Sequence, residues 1–353
     1  MNLGQLYISG ISGPSLTKEE SNFIKNEDLG GIILFSHNYE SPKQLSSLVN
    51  EIQKSRGSDN ALFISVDHEG GRVQRFKEEF THFPSMQKLA SLDSPKIVFE
   101  AHEIMAKELK ACGINLSFSP VCDILLNEKN KVIGDRSFGE YPEVVQKMLS
   151  ASLRGLKSQK LLACAKHFPG HGTTSEDSHY ELPVVETDLE TLREREFKCF
   201  YKAIRSKLDF MMVAHLVMKD IDPDLPCTLS KKVISILRNE LKFNGFIVSD
   251  DFDMLAIADN YSIEDTTVLA LNAGIDQLVF RSMERAQESL EALNSVHGNG
   301  AFAQGYLSDK VSRIKEFKSE FLPFEGDLQV QEIAQLFPFE EHANYLEALK
   351  LKL

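Results

Sequence analysis

Nowhere does the chain carry an apolar run that approaches the length of a membrane span, and its first residues lack the basic start and apolar core of a signal peptide. A cytoplasmic protein is expected. Cysteine is sparse: Cys112, Cys122, Cys164, Cys199 and Cys227 are scattered, odd in number and without a CxxC spacing. That argues against a disulfide framework and against a zinc knuckle. Cys164 lies in an apolar run and reads as a buried structural thiol. Positive charge is in deficit, with 39 Lys and Arg against 52 Asp and Glu and a net charge of -13. Neutralising phosphates takes clustered Lys and Arg, so neither nucleic acid nor an anionic membrane is expected as a partner. A small or neutral substrate and a monomeric chain are the expectation. Internal repeats and low-complexity tracts are missing too.

What is present is an ordinary globular composition, 42% hydrophobic and 26% charged, able to bury a sizeable core. The length of 353 residues exceeds a typical domain but suits one large parallel barrel. Short apolar runs rich in β-branched residues recur at 6–8, 32–35, 62–66, 114–118, 161–165, 210–214, 246–248 and 277–280. Segments of helical length separate them, at 18–26, 43–55, 96–111, 143–157, 189–206, 231–241 and 263–272. Ser41-Pro42, Asp188 and Ser230 stand where N-caps belong, and Gly113 and Gly274 where helices should stop.

Strands that alternate with helices imply parallel pairing through right-handed crossovers, and eight such units predict an α/β fold, a single-domain (β/α)8 TIM-type barrel. We place the catalytic barrel at 1–322 and a helical tail packed on it at 323–353. A doubly wound open sheet is the alternative, but Gly10-Ile-Ser-Gly13 is too short to serve as its phosphate loop. Nearly every apolar run ends in polar chemistry: Ser36-His37-Asn38, Asp67-His68-Glu69, Ser119-Pro120, Lys166-His167, His215, Ser249-Asp250-Asp251 and Arg281. In a barrel those ends converge on one face, the usual place for an active site.

Residues 166–183, Lys-His-Phe-Pro-Gly-His-Gly-Thr-Thr-Ser-Glu-Asp-Ser-His-Tyr-Glu-Leu-Pro, hold three His and a Lys in a long segment that Pro169 and Gly170 keep from being helical. Loops of this kind in compact domains are usually functional. Asp177 and His179 stand two apart, and an Asp beside a His can orient the imidazole for proton transfer near neutral pH. Taken alone, a loop His is more often merely solvated. Asp250 ends a buried strand, a rigid post for a nucleophile, though taken alone such an acid is more often a helix N-cap or a barrel-end ion pair; Asp251 or Asp253 can take the capping role. Asp67 to Arg75 combines strand-end acids, Gly70-Gly71 and two Arg, suited either to gripping hydroxyl groups or to stiffening the rim. Arg136 has the same two readings, and Lys166 and His167 at a strand end are better placed for binding than Lys on helix faces. The His and Asp residues also permit a zinc hydrolase, but there is no His-x-His on a strand and no HExxH helix, so neither a metal nor a cofactor is expected.

With these residues in place, the sequence from about 30 to 321 resembles glycoside hydrolase family 3, most closely its bacterial β-N-acetylglucosaminidases of peptidoglycan recycling. Residues 166–183 are similar to the family's Lys-His-Phe-Pro-Gly-His-Gly signature with its downstream Asp-Ser-His. Gly30-Gly-Ile-Ile-Leu-Phe35, residues 67–76, Arg136-Ser-Phe-Gly139 and Ser249-Asp-Asp251 resemble further family blocks in the expected order. The resemblance implies that Asp250 is the nucleophile and that His179, paired with Asp177, is the acid/base. It also implies that Asp67, Arg75, Arg136, Lys166 and His167 hold the N-acetylglucosamine ring, Asp67 taking two hydroxyls. His37 departs from an Arg common in the family, and Phe252-Asp253 from Leu-Ser. The implied substrate is a muropeptide, N-acetylglucosamine linked to 1,6-anhydro-N-acetylmuramic acid with or without peptide, cleaved with retention through a covalent intermediate. A phosphorylase on the same scaffold is the near rival, because phosphate could open that intermediate in place of water. A non-catalytic sugar-binding barrel is the distant one.

Overall fold

The structure, a computed structural model, describes residues 2–174 and 182–353. Eight strands, β1 (Tyr7–Ser9), β2 (Gly31–Leu34), β3 (Phe63–Val66), β4 (Leu116–Ser117), β5 (Leu162–Phe168), β6 (Phe210–Val213), β7 (Phe246–Asp251) and β8 (Gln277–Phe280), pair in parallel with their sequence neighbours. β8 closes on β1 through Tyr7–Leu278, Ile8–Val279 and Ser9–Phe280, making one closed barrel. Each apolar run found in the sequence supplies one barrel strand. β5 and β7 reach past those runs, to Phe168 and Asp251. Lys166-His167 and Ser249-Asp250-Asp251 are polar and break the apolar signal, while the backbone continues to pair with the strand alongside.

Local chemistry explains the helices between the strands. Thr17 and Glu20 form a reciprocal capping box on Lys18–Asn26. Ser41 caps Pro42–Lys54, and Pro42 at its first position brings a preset φ. Asp188 and Ser230 accept from Thr191 N and Val233 N as N-caps. The helix Ile263–Ala273 stops at Gly274, whose φ of 119° suits a residue without a Cβ. Two expected helices are interrupted. Residues 189–206 form Leu189–Glu194 and Glu196–Arg205, divided where Arg195 leaves helical geometry, and the five-residue helix Lys231–Ser235 passes into a π-helical stretch, Ile236–Glu240.

The two ends of the barrel differ in chemistry. At the amino-terminal end, Phe317 of the helix Tyr306–Phe321 packs its ring against Phe63, Phe210 and Phe246 at centroid distances of 5.0 to 6.3 Å. Beside it the buried Nζ of Lys318 donates to the Gly30 carbonyl at 2.6 Å and to Gln5 Oε1 at 2.8 Å, and burial pushes its pKa down to about 7. That end is sealed, so the open polar end lies at the carboxyl termini of the strands. Beyond the barrel helices, Val330–Leu336 and Glu340–Lys350 are also helical. Asn50 exchanges two hydrogen bonds with Leu328, and His342 Nδ1 meets Glu108 Oε1 at 2.8 Å. Among the described residues no helix is long and apolar enough to cross a membrane.

Candidate active site

The carboxyl-terminal ends of the strands surround a cavity of about 480 Å³ whose walls include Asp67, Arg75, Arg136, Lys166, His167 and Asp250. All the sequence-predicted site residues within the described part of the chain therefore meet at one place. Asp177 and His179 lie outside the described residues.

Two strands reach this cavity through a register shift. In a regular strand, successive side chains point to opposite faces, so Lys166 and His167 could not both turn inward. The pairing of β5 with β6 advances from Ala165–Met211 to Phe168–Val213, three steps against two, and the extra residue re-aims the strand end. β7 does the same against β8, from Val248–Gln277 to Asp251–Val279, with Ser249 Oγ accepting from Val279 N at 2.9 Å. The bulge lies beside Asp250. Lys166 and His167 thus belong to a strand, so the segment is non-helical as expected, but the loop expected from 166 onward begins only after Phe168.

One wall is an ion network. Lys166 Nζ lies 2.6 Å from both Asp67 Oδ1 and Glu69 Oε1, and Glu69 receives Arg136 through two 2.8 Å bonds, from Nε and from Nη2. Arg75 Nη2 donates to Asp67 Oδ2 at 3.3 Å. Burial alone would raise the acids and lower the lysine, but the opposite charges win: Asp67 and Glu69 lie below the usual carboxylate range, and Lys166 and Arg136 above their own. Every member is held charged and in place. Each carboxylate oxygen of Asp67 has a further acceptor site, so two hydroxyls of a ligand can still bind there.

Beside this network and behind the cavity wall lies the buried Asp123, which the sequence reading did not single out. Its Oδ2 meets His167 Nδ1 at 2.7 Å and His167 N at 3.1 Å, and its Oδ1 accepts from His171 N at 2.7 Å. A carboxylate only accepts, so Nδ1 of His167 carries a proton and Nε2 faces Arg136 Nη2 at 3.5 Å. Past Asp123, Gly172 packs so close that a Cβ would lie 1.6 Å from the Ile124 carbonyl oxygen. Only glycine fits there. Glu69 was visible in the sequence as one strand-end acid among several. Nothing in the sequence marked Asp123.

Asp250 is half-buried, and its Oδ1 accepts from Asp251 N at 2.9 Å. Burial would raise its pKa, but His167, His215, that N–H and Lys166 together bring it below the ordinary 3.8. Asp251 goes the other way, pushed up to about 7 by burial and by Asp253, against the Asp253 N–H and Arg281. Neither Asp251 nor Asp253 caps the helix Leu255–Ala258, whose N-cap is Met254. They tie the loop after β8 instead, Asp251 Oδ1 accepting from Arg281 N at 3.0 Å and Asp253 Oδ2 from Ser282 N at 2.6 Å. His37 lies outside the main cavity, bonded through Nε2 to the Ile11 carbonyl at 3.0 Å and stacked on Phe35.

Comparison with known proteins agrees with this geometry. The profile of the Glycosyl hydrolase family 3 N terminal domain matches residues 1–317. A beta-hexosaminidase of Nitrosomonas eutropha is 38% identical over 300 residues, 83% of this chain and 85% of that protein. The structure of a glycoside hydrolase family 3 beta-N-acetylglucosaminidase from a Paenibacillus species superposes with a TM-score of 0.92 at 33% identity, covering 99% of this chain and 68% of the other. A beta-N-acetylhexosaminidase from Beutenbergia cavernae gives 0.84 at 25% identity, covering 90% of this chain and 97% of the other.

Proposed function

This chain belongs to glycosyl hydrolase family 3, and from that premise we propose that it is a retaining exo-β-N-acetylglucosaminidase. The observation that carries the reading is the position of Asp250: an ionised carboxylate at a strand end, in the same cavity as the fixed Asp67–Lys166–Glu69–Arg136 network. A group that attacks a sugar must be charged and aimed, and a group that binds a sugar must offer hydroxyl acceptors and donors in a fixed array.

In the first step Asp250 attacks the anomeric carbon while the bond to the leaving oxygen breaks, and His179 gives that oxygen its proton. The usual retaining design uses a second carboxyl group for this task. Imidazole has an unperturbed pKa of about 6.5, and a neighbouring carboxylate such as Asp177 favours its protonated form. In the second step water gives a proton to His179 and attacks the same carbon, releasing the sugar and restoring Asp250. Asp67, Arg75, Arg136, Lys166 and His167 hold the ring of N-acetylglucosamine. The hexosaminidase names of the relatives favour water over phosphate as the acceptor. The substrate we propose is a muropeptide fragment, N-acetylglucosamine linked to 1,6-anhydro-N-acetylmuramic acid, cleaved in peptidoglycan recycling.

The test is release of p-nitrophenol from p-nitrophenyl β-N-acetylglucosaminide by wild type and Asp250→Ala, each with and without EDTA. Activity that survives EDTA and vanishes in Asp250→Ala supports the covalent reading. A folded wild type that does not cleave this substrate sinks it.

A further inference from the structure

His215 follows β6 and is fully buried, and the mechanism above makes no use of it. Its Nε2 lies 3.0 Å from the backbone oxygen of Asp251, and its Nδ1 lies 2.9 Å from the hydroxyl of Thr228, which is also fully buried. A carbonyl oxygen can only accept, so Nε2 must carry the hydrogen. In the neutral ring Nδ1 is then the acceptor, and the Thr228 hydroxyl is its donor. The buried Phe252 ring covers one face of the imidazole at 5.3 Å and 26°, which fixes its tilt.

The residue gripped in this way matters. Asp251 is where the β7–β8 pairing resumes after the bulge, and its own N–H donates to Asp250 Oδ1. Its side chain is tied to Arg281, through the backbone N at 3.0 Å and through Nε at 3.2 Å. His215 holds the backbone oxygen and Arg281 the carboxylate, so the bend that aims Asp250 is clamped from both sides.

We infer that His215, oriented by Thr228, is a positioning residue for Asp250: its Nε2–H grips the Asp251 carbonyl and so fixes the bulge that points the Asp250 carboxylate at the substrate. The inference rests on the reading of Asp250 as nucleophile. Among the described residues, the other charged or titratable groups around Asp250 are Lys166 and His167 on β5, with Asp67 and Glu69 behind Lys166, His171 in the loop that follows, and Asp251 with its partner Arg281. None of them touches the Asp251 carbonyl, whose other donor is the Met254 N–H at 3.0 Å from the same loop, so His215 is the grip that reaches it from a neighbouring strand end.

The experiment measures kcat, KM and the acid limb of the pH profile on p-nitrophenyl β-N-acetylglucosaminide for His215→Ala, His215→Gln and Thr228→Val, with melting temperature as the folding control. A nucleophile displaced by about 1 Å loses about 10²-fold, which is the fall expected in kcat for His215→Ala, with KM little changed. The acid limb should move to higher pH, because the Asp251 N–H that donates to Asp250 Oδ1 loses its anchor. His215→Gln, whose amide N–H can reach the same carbonyl, should recover most of the kcat and return the acid limb toward its wild-type position. Thr228→Val keeps the ring but removes its hydroxyl partner, and a partial loss of kcat is expected; it carries the test if His215→Ala does not fold. Wild-type kcat and acid limb in a folded His215→Ala or Thr228→Val, or a loss confined to KM or melting temperature, overturns the inference. Asp250→Ala is assayed alongside: if it stays active, the nucleophile assignment fails instead.

Discussion

Nζ of Lys166 lies 2.6 Å from Oε1 of Glu69, with both side chains only 2% exposed. Such a pair is costly to desolvate, and it persists here because Arg136 and Asp67 extend it into a continuous network. Rigidity is what that arrangement supplies to the sugar-binding wall.

Removing one partner should therefore cost far more than a surface pair would. Glu69→Gln leaves Lys166 and Arg136 without their shared carboxylate, and a loss of about 3–5 kcal/mol is expected. Urea denaturation at pH 7 measures it. A change under about 1 kcal/mol, the range of an exposed pair, would show that the network is not buried and coupled as described.

The same acids set the response to pH. Asp67, Glu69 and Asp123 have folded values below their ordinary ones, so they bind protons more weakly folded than unfolded. Their stabilisation is complete above the unfolded values of 3.8 and 4.5 and is lost as pH falls below these toward the folded values. Melting temperature should drop steeply below about pH 4.5 and less steeply in Glu69→Gln, as followed by circular dichroism.

Asp251 should act in the opposite sense. Its folded value of about 7 is above the ordinary 3.8, so the folded protein holds the proton more tightly and stability falls as pH rises between those values. Asp251→Asn should flatten that slope. Identical slopes in wild type and variant between pH 4 and 7 would count against the raised value.

For the chemistry, Asp250→Gly assayed with azide should form an α-glycosyl azide, because a small anion can occupy the space of the missing carboxylate and attack from the same side. Product analysis by NMR reads the anomeric configuration. A β-azide or restored hydrolysis would contradict attack by Asp250.

His179→Ala should lose about 10²–10⁴-fold on substrates with an alcohol leaving group, and less on p-nitrophenyl glycosides, which leave without full protonation. Asp177→Ala should weaken the rate and shift its pH profile. An unchanged rate and profile in Asp177→Ala would dissolve the dyad.

The barrel was legible because its evidence is repetitive. Eight apolar runs, helices between them and caps at Ser41, Asp188, Ser230 and Gly274 each state the same alternation, and an error at one boundary leaves the rest standing. The convergence of Asp67, Lys166, His167 and Asp250 followed from the same logic, since parallel strands must present their carboxyl ends together. Chain-local chemistry reached no further. The inward turn of both Lys166 and His167 depends on a register shift against β6, which is a relation between two strands and leaves no pattern in either. Asp123 orders His167 and His171 across more than forty residues of chain, and His215 finds the Asp251 carbonyl from another strand end. The sequence by itself determined which groups gather at the mouth of the barrel, because strand order and polarity are written along the chain. Only the tertiary structure decided how they are aimed, because aim comes from hydrogen bonds between segments that the sequence keeps apart.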